Sequence, residues 1–422
     1  MRFALRALML VLSAWALGTL ERAEAQERVL RLPAATQGVR SLEVLDPDSP
    51  VFRAAGEGTQ RRGTLAKGTR VVPVRRVSAG GCGGPRRGET GWWEIRDPTG
   101  RGPLFVCAKR VEPSTDAPAG LPQPDMRDAD AAGRLLPHDY AFVAFDGARA
   151  FAHPEDYFSD QYEEAFGVGF GLIVGRSTTA RGVRFLRTRR GLWIDADSLR
   201  FARGAGWTGL SEPTLPLGFA RRGAQVQRSR RGGVIRRPGL RETIPLAAVD
   251  GAWASVAEGG AIRSRSLHLA VPMEPPPEAG PEGTWIDVDV SEQTLVFYRG
   301  RTPLFATLVS TGRGGANRET PLGTHRIWVK LAFSDMTDLE REVERNYALE
   351  RVPWVQYFEG ANGLHAAFWH DEFGRRRSHG CVNLSPRDAR QIFDLTEPAL
   401  PPGWTALFPE EGEPTTFVRV RR

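Results

Sequence analysis

The chain has 422 residues, 41% of them hydrophobic, so it is long enough for two to four domains with packed cores and is not a disordered protein. Its 57 Lys and Arg against 50 Asp and Glu give a net charge of +7, which favours an anionic partner such as nucleic acid, a membrane surface or an envelope polymer. The chain has no RNA-recognition, zinc-finger or helix-turn-helix signature, which argues against nucleic acid.

Residues 1–25 are predicted to be a signal peptide. Arg2 and Arg6 make the start positive, and the apolar run from Ala7 to Leu20 is shorter than the roughly 20 residues that a membrane-spanning helix needs. Ala23-Glu24-Ala25 fits the small-x-small cleavage pattern, and an uncleaved anchor is the alternative. We therefore expect an exported protein of the periplasm or cell envelope that meets the membrane only through this peptide before cleavage.

The three cysteines fit an exported protein with one disulfide and one free thiol. Pairing Cys82 with Cys107 would close a loop of about 25 residues and contribute about 3 kcal/mol. Two free, buried cysteines are the alternative. If the pair forms, Cys381 remains as the unpaired thiol.

Residues 40–113 have the pattern of a small antiparallel barrel, with short apolar runs separated by Gly and Pro. Examples are Ser49–Phe52, Gly68–Val74 and Gly91–Ile95. The region resembles bacterial SH3 domains, in which a Gly-Trp pair, here Gly91-Trp92, precedes a closing hairpin. The resemblance predicts an SH3-like domain over residues 40–113.

Residues 139–202 and 218–271 repeat features of each other, which predicts a second and a third SH3-like unit. Both contain a Gly-x-Trp, at Gly191–Trp193 and Gly251–Trp253, and both end with Ser-Leu. A single irregular β domain is the alternative. Two arginine-rich segments in this region, 187–190 and 228–231, indicate either solvated faces or surfaces that bind anionic glycan polymers.

A Pro-rich linker is predicted over residues 272–282, followed by a domain over 283–422. The alternation of residues 286–290 predicts a β-hairpin with 295–298, and further strands are expected at 304–310, at 325–331 and within 403–420. The charged segment 335–351 has apolar residues at helical spacing and predicts an amphipathic helix. Ser385-Pro386 predicts an N-capped helix that ends near Thr396.

The segment Ser378-His379-Gly380-Cys381-Val382-Asn383 carries the candidate chemistry. A thiolate is a strong nucleophile, and a nearby base must take the proton from the thiol. His365 and His379 are candidates for that base. Gly380 leaves room for backbone N–H groups to approach a tetrahedral oxyanion. These residues together suggest acyl transfer through a thioester.

Three motifs extend this signature: Val309-Ser310-Thr311-Gly312, Thr320–Thr324 and Gly363-Leu364-His365. With 377–384 they resemble the active-site signature of the YkuD-type L,D-transpeptidases. The resemblance implies a mainly β, YkuD-like sandwich or barrel with short helices, preceded by up to three SH3-like barrels.

The resemblance also implies the roles of the site residues. Cys381 would be the nucleophile, His365 the base, and Ser378, His379 and Gly380 the oxyanion hole and its support. The carbonyl of Ala366, where the family often has Gly or Ser, would orient the imidazole. Asn383 would bind substrate or, alternatively, cap the following helix.

The function implied is a peptidoglycan L,D-transpeptidase that acylates Cys381 with a tetrapeptide stem and transfers it to an amine, without cofactor or metal. Its partners would be peptidoglycan stem peptides and glycan, and carbapenems would acylate the same thiol. The alternatives are an L,D-carboxypeptidase and a wall-binding protein with an inactive transferase domain. A zinc hydrolase using His365, His370, Asp371 and His379 lacks an H-E-x-x-H spacing.

Overall fold

The computed structural model describes residues 28–30, 38–56, 58–82, 91–315, 318–338 and 347–422. The predicted signal peptide, residues 1–25, lies outside the described residues. None of the helices in the described ranges has the length and hydrophobicity needed to span a lipid bilayer. The fold is mainly β, as predicted, and the described residues contain two α-helices, α1 Arg127–Ala131 and α2 Pro386–Leu395.

The strands follow in chain order. The first region contains β1 Arg28–Leu30, β2 Ser41–Val44, β3 Ser49–Phe52, β4 Arg61–Leu65, β5 Arg70–Val71, β6 Pro73–Ser78, β7 Trp92–Ile95, β8 Leu104–Cys107 and β9 Val111–Ser114. The second contains β10 Asp139–Val143, β11 Ala148–Phe151, β12 Glu164–Phe166, β13 Gly171–Ala180, β14 Val183–Thr188, β15 Trp193–Asp195 and β16 Leu199–Ala202. The third contains β17 Leu210–Ser211, β18 Leu217–Ala220, β19 Val226–Gln227, β20 Val234–Arg236, β21 Thr243–Asp250, β22 Trp253–Val256, β23 Ala261–Arg263 and β24 Leu267–Ala270. The last contains β25 Thr284–Asp289, β26 Thr294–Arg299, β27 Thr302–Leu308, β28 Gly323–Arg326, β29 Val329–Asp338, β30 Tyr347–Glu359, β31 Asn362–Ala366, β32 Val382–Leu384, β33 Trp404–Leu407 and β34 Phe417–Arg421.

One pattern of antiparallel pairing occurs three times before residue 271. In the second region β10 pairs with β13 and β16, β11 with β12 and β15, and β14 with β13 and β15. In the third, β18 pairs with β21 and β24, β19 with β20 and β23, and β22 with β21 and β23. In the first, β5 and β6 together take the place of the long fourth strand. Each copy has a 3₁₀ turn before its last strand, at Ala108–Arg110, Ala196–Ser198 and Ser264–Ser266.

The two Gly-x-Trp motifs do not occupy equivalent places in this pattern. Trp193 begins β15, the second-to-last strand of its copy, whereas Trp253 begins β22, one strand earlier. The Ser-Leu pairs are equivalent, since Ser198 and Ser266 each end a 3₁₀ turn and the following leucine begins the last strand. The repeat therefore lies in the strand pairing and the Ser-Leu pairs, whereas the two Gly-x-Trp motifs occupy different strands.

Residues 283–422 fold into two facing sheets with α2 packed beside them. One sheet has the order β17-β27-β26-β25-β34-β28, and the other side is formed around β29, β30, β31 and β32. The predicted hairpin is confirmed as β25 and β26. Apolar side chains of both sheets and of α2 fill the space between them, among them Ile286, Phe297, Val355, Leu364, Val382 and Ile392.

Helix α2 begins and ends at identifiable side chains. Ser385 is its N-cap, with Oγ accepting the Asp388 N–H at 3.2 Å, and Pro386 occupies the first turn. At the other end the buried Lys330 donates to the carbonyls of Phe393 at 2.7 Å and Thr396 at 2.9 Å. The sequence prediction of this helix is confirmed, and Ser385 rather than Asn383 is its cap.

The predicted helix over 335–351 is wrong at both ends that the structure describes. Residues up to Asp338 continue β29, and β30 begins at Tyr347, with Met336 opposite Leu349. Leu339 and Val343 lie outside the described residues. Long antiparallel pairing has overridden the local spacing of apolar residues. The predicted strand at 325–331 is likewise divided between β28 and β29.

The repeated units are joined to the last domain by strand pairing and ion pairs. β4 of the first unit pairs with β33, β13 of the second meets β30 in parallel, and β17 extends the sheet at β27. The fully buried Arg62 forms an ion pair with Glu413 at 2.7 Å. In the first unit Cys82 and Cys107 form a disulfide. The linker region 272–282 contains the 3₁₀ turn Pro277–Ala279.

Candidate active site

Two short parallel strands bring the candidate residues together. β31 carries His365 and β32 carries Asn383, and these two residues are direct partners in the ladder. Cys381 lies immediately before β32, two residues from Asn383. With a strand spacing of about 4.8 Å and a rise of about 3.3 Å per residue, the Cα atoms of Cys381 and His365 lie on the order of 8 Å apart. That separation suits a thiol and an imidazole that face each other.

The Cys381 thiol is the one free cysteine among the described residues, and it is half-buried. Its Sγ lies 3.7 Å from the carbonyl oxygen of Ala361, and the Gly363 N–H donates to the sulfur. Burial raises the pKa of the thiol, and the Gly363 hydrogen bond opposes that shift only in part. The resting cysteine is therefore protonated at neutral pH, and a base is needed to activate it.

His365 has the properties of such a base. Its side chain is buried, and Nδ1 lies 3.1 Å from the Ala366 carbonyl oxygen. A carbonyl can only accept, so Nδ1 carries the proton and the lone pair is on Nε2. Burial lowers the pKa of His365 to about 4, against the effect of the Ala366 hydrogen bond, so the ring is neutral at pH 7. The ring also stacks on Trp369, with centroids 5.7 Å apart.

Ser378 fixes the turn that presents the nucleophile. Its Oγ accepts the Gly380 N–H at 3.1 Å and donates to the Cys381 carbonyl at 2.5 Å. Gly380 has φ +132°, and an added Cβ would lie 2.1 Å from Asn362 Oδ1. Only glycine fits this position without displacing a neighbour. The Gly380 amide is held by Ser378, so it is already occupied.

The motif at 309–312 forms hydrogen bonds to the turn that contains Ser378. The Thr311 carbonyl accepts the amides of Arg377 at 2.9 Å and Ser378 at 3.1 Å. Gln293 in turn holds Thr311 through two hydrogen bonds, and Thr320 Oγ1 accepts the Gly312 N–H at 2.9 Å. The motifs at 309–312 and 320–324 therefore support the loop that carries the nucleophile.

Asn383 and His370 form a buried polar pair beside the site. His370 Nε2 lies 3.1 Å from the Asn383 carboxamide, and His370 Nδ1 accepts the Glu372 N–H at 3.2 Å. Burial first, then the positive charge of Arg377, lowers the pKa of His370 to about 4. The neutral ring therefore carries its proton on Nε2 and donates it to the carboxamide oxygen, since oxygen and nitrogen positions of an Asn side chain are interchangeable. The Asn383 NH₂ then occupies the buried position that has no other described partner.

Sequence reasoning missed two residues of this site. The sequence predicts His370 only as a candidate zinc ligand and gives no role to Tyr357. Tyr357 is opposite Gly363 in the ladder and is close enough for the charge of Cys381 to raise its pKa, after burial as the larger cause. Its Oη lies 3.1 Å from Ser334 Oγ. Both contacts join segments far apart in sequence, and neither leaves a local signal.

Within the described ranges, no three His, Cys, Asp or Glu side chains are grouped as metal ligands would be. His370 instead contacts an amide, and Asp371 pairs with Arg241 at 2.5 Å. The zinc-hydrolase alternative therefore has no assembled donor set in that part of the chain.

Comparison with known proteins addresses the segment that contains this site. Residues 283–413 match the YkuD family of L,D-transpeptidase catalytic domains. This match confirms the resemblance predicted for the last domain. Comparison with curated protein sequences gives no match.

Among solved structures the chain is similar to L,D-transpeptidases from three organisms. The L,D-transpeptidase (Yku) from Stackebrandtia nassauensis is 24% identical over 36% of this chain and 58% of that chain, with a TM-score of 0.25. The catalytic domain from E. faecium L,D-transpeptidase is 23% identical over 33% and 98%, with a TM-score of 0.26. The L,D-transpeptidase from Mycobacterium smegmatis is 16% identical over 60% and 99%, with a TM-score of 0.27. The chain thus spans less than two thirds of the Stackebrandtia protein. Because the TM-scores are low, the family is indicated by the match of residues 283–413 and not by these structures.

Proposed function

We propose that the chain is a peptidoglycan L,D-transpeptidase whose nucleophile is Cys381 and whose general base is His365. The observation that carries the proposal is the arrangement of a free thiol immediately before β32 beside a buried, neutral imidazole on the parallel strand β31. It lies within the segment that matches the L,D-transpeptidase catalytic domain.

The first step is acylation of the thiol. Cys381 Sγ attacks the carbonyl carbon of a tetrapeptide stem, between an L-centred diamino acid and the terminal D-Ala, while His365 Nε2 takes the thiol proton. The Cys381 N–H stabilises the oxyanion, since the Gly380 N–H is held by Ser378. The carbon–nitrogen bond breaks, His365 returns the proton to the departing D-Ala amine, and a thioester remains.

The second step is resolution of the thioester. His365 takes a proton from the side-chain amine of another stem, the amine attacks the thioester carbonyl, and the thiol leaves with that proton. This aminolysis gives a cross-link. Water in place of the amine would release the tripeptide stem, which is the carboxypeptidase alternative. The Asn383 NH₂, without another described partner, donates to an oxygen of the bound stem.

The protonation states favour a neutral resting pair. Burial raises the pKa of Cys381 and lowers that of His365 to about 4, so a thiolate–imidazolium pair is disfavoured before substrate arrives. Proton transfer then accompanies attack. The thiol is thereby protected from oxidation in an exported protein.

The three repeated units are proposed to be SH3-like. Their shared strand pairing and the 3₁₀ turn before the last strand support the SH3-like assignment of residues 40–113, 139–202 and 218–271. With the predicted signal peptide, they would place the catalytic domain on the cell wall.

The test is product analysis with purified muropeptides. The full chain and its Cys381→Ala variant are each incubated with disaccharide tetrapeptides, and products are weighed by mass spectrometry. We expect cross-linked dimers from the unchanged chain and none from the variant. Tripeptides alone would support the carboxypeptidase, and unchanged tetrapeptides with a folded protein would refute both.

A further inference from the structure

A second cleft lies away from Cys381, between the β13–β14 hairpin of the second repeated unit and the start of β30. Its volume is about 550 Å³. Four arginines line it, Arg176, Arg187, Arg189 and Arg351, together with His138 and Thr188. The first of the two arginine-rich segments noted in the sequence thus contributes two arginines and the threonine between them to one concave surface.

Positive charge exceeds negative charge at this cleft, where the Asp335 carboxylate pairs with Arg189 and accepts the Arg351 backbone N–H at 2.7 Å. Among the described residues, no carboxylate lies within ion-pair distance of Arg176, Arg187 or Arg351. Arg187 donates to the Gly191 carbonyl at 3.3 Å and lies over the Trp193 ring. The guanidinium carbon of Arg351 lies 4.1 Å from the centroid of the Phe333 ring. Of the four guanidinium groups, that of Arg189 alone has a carboxylate partner in the described part of the chain, with Asp335 at 3.1 Å and Glu350 at 3.9 Å.

Two buried polar atoms of the same cleft have no partner among the described residues. They are Oγ1 of Thr188, whose side chain is 4% exposed, and Nε2 of His138. A buried hydroxyl without a hydrogen bond costs about 1–3 kcal/mol, so such atoms are uncommon unless a ligand or water satisfies them. The pKa of His138 is lowered to about 4, first by burial and then by the positive charges of Arg351, Arg134 and Arg189. These arginines therefore make the cleft electropositive.

We propose that this cleft binds an oxyanion, a carboxylate or a phosphate. The Thr188 hydroxyl and the His138 ring donate to its oxygens, and Arg176, Arg187 and Arg351 neutralise its charge. Carboxylates of peptide stems and phosphodiesters of envelope polymers share this chemistry. Cys381 does not line this cleft, so the binding proposal is independent of the proposed activity.

Binding is measured by calorimetry with the full chain carrying Cys381→Ala, so that no probe is consumed. The probes are a glutamate oligomer with free carboxylates, the same oligomer with amidated carboxylates, and a glycerol phosphate oligomer; none of them is the proposed substrate of the Cys381 site. The variants are Arg176→Gln with Arg187→Gln, and separately Thr188→Val. Arg184→Gln is the matched control, because Arg184 is an exposed arginine of β14 that does not line the cleft.

We expect at least one anionic probe to lose affinity about tenfold or more in both cleft variants and to keep it in the Arg184→Gln control. Thr188→Val should unfold at the same or a higher urea concentration, because it removes an unpaired buried hydroxyl. Loss on amidation identifies carboxylates as the ligand, and binding of glycerol phosphate alone identifies phosphate. The proposal is overturned if no anionic probe binds, if Thr188→Val binds as tightly as the unchanged cleft, or if the Arg184→Gln control loses affinity equally.

Discussion

Replacing Gly380 by Ala should distort the turn, residues 378–381, that positions the Cys381 thiol. Gly380 has φ +132°, a conformation that costs a residue with a side chain about 1–3 kcal/mol. The new Cβ would also lie 2.1 Å from Asn362 Oδ1 and 3.3 Å from the Glu319 carbonyl oxygen, so Asn362 or the turn must move. We expect carbapenem acylation of Cys381 to fall about 30-fold or more, which corresponds to about 2 kcal/mol.

Two further variants separate the backbone effect from the contact. Gly314→Ala adds a side chain at φ +92° where the nearest atom is 3.8 Å away, so it carries backbone strain without crowding. Asn362→Ala combined with Gly380→Ala removes the close contact and should restore part of the rate. Acylation is followed by the mass of the intact protein, with urea unfolding as the check on stability. A Gly380→Ala protein that acylates at the original rate would refute the role of this turn.

Three more predictions concern the base, the turn and helix α2. His365→Gln should slow acylation by about 10² to 10⁴-fold. The acylation rate of the unchanged chain should decline only as pH falls towards 4, where the His365 ring gains a proton. A decline centred near pH 6.5 would contradict the buried, neutral base. Ser378→Ala removes two hydrogen bonds and should lower the free energy of unfolding, measured in urea, by about 1–2 kcal/mol. Acylation should also be slower. An unchanged acylation rate would show that the turn keeps its conformation without this hydroxyl. Burial lowers the pKa of Lys330 to about 7 from its usual 10.5, so the folded state binds fewer protons than the unfolded state between those values. Stability should therefore rise with pH in that window by up to about 1.4 kcal/mol per unit, and Lys330→Met should abolish that rise; parallel stability curves for the two proteins would refute the shift.

Local patterns predicted those parts of the fold that depend on neighbouring residues. The alternation at 286–290 gave the β25–β26 hairpin, and Ser385-Pro386 gave the start of α2. The motif at 378–383 singled out the segment that holds the free thiol. In each case a short stretch of sequence determines the local conformation.

Other features depend on contacts between distant segments and had no local signal. The helical spacing in 335–351 was overridden by pairing of β29 with β30, which the sequence does not encode in one stretch. Gly380 was interpreted as making room for an oxyanion, whereas the structure shows crowding by Asn362 from a different strand. The contacts of His370 with Asn383 and of Tyr357 with the thiol region arise in the same way.

Trapping the acyl-enzyme would test the central claim most directly. The full chain is mixed with disaccharide tetrapeptide, quenched in acid, digested and examined by mass spectrometry for the peptide that contains Cys381. We predict a thioester at Cys381 with the mass of the stem less its terminal D-Ala, and its absence in Cys381→Ser under the same conditions. Turnover of the tetrapeptide by the Cys381→Ala protein, or a folded chain that never acquires the adduct, would contradict the account.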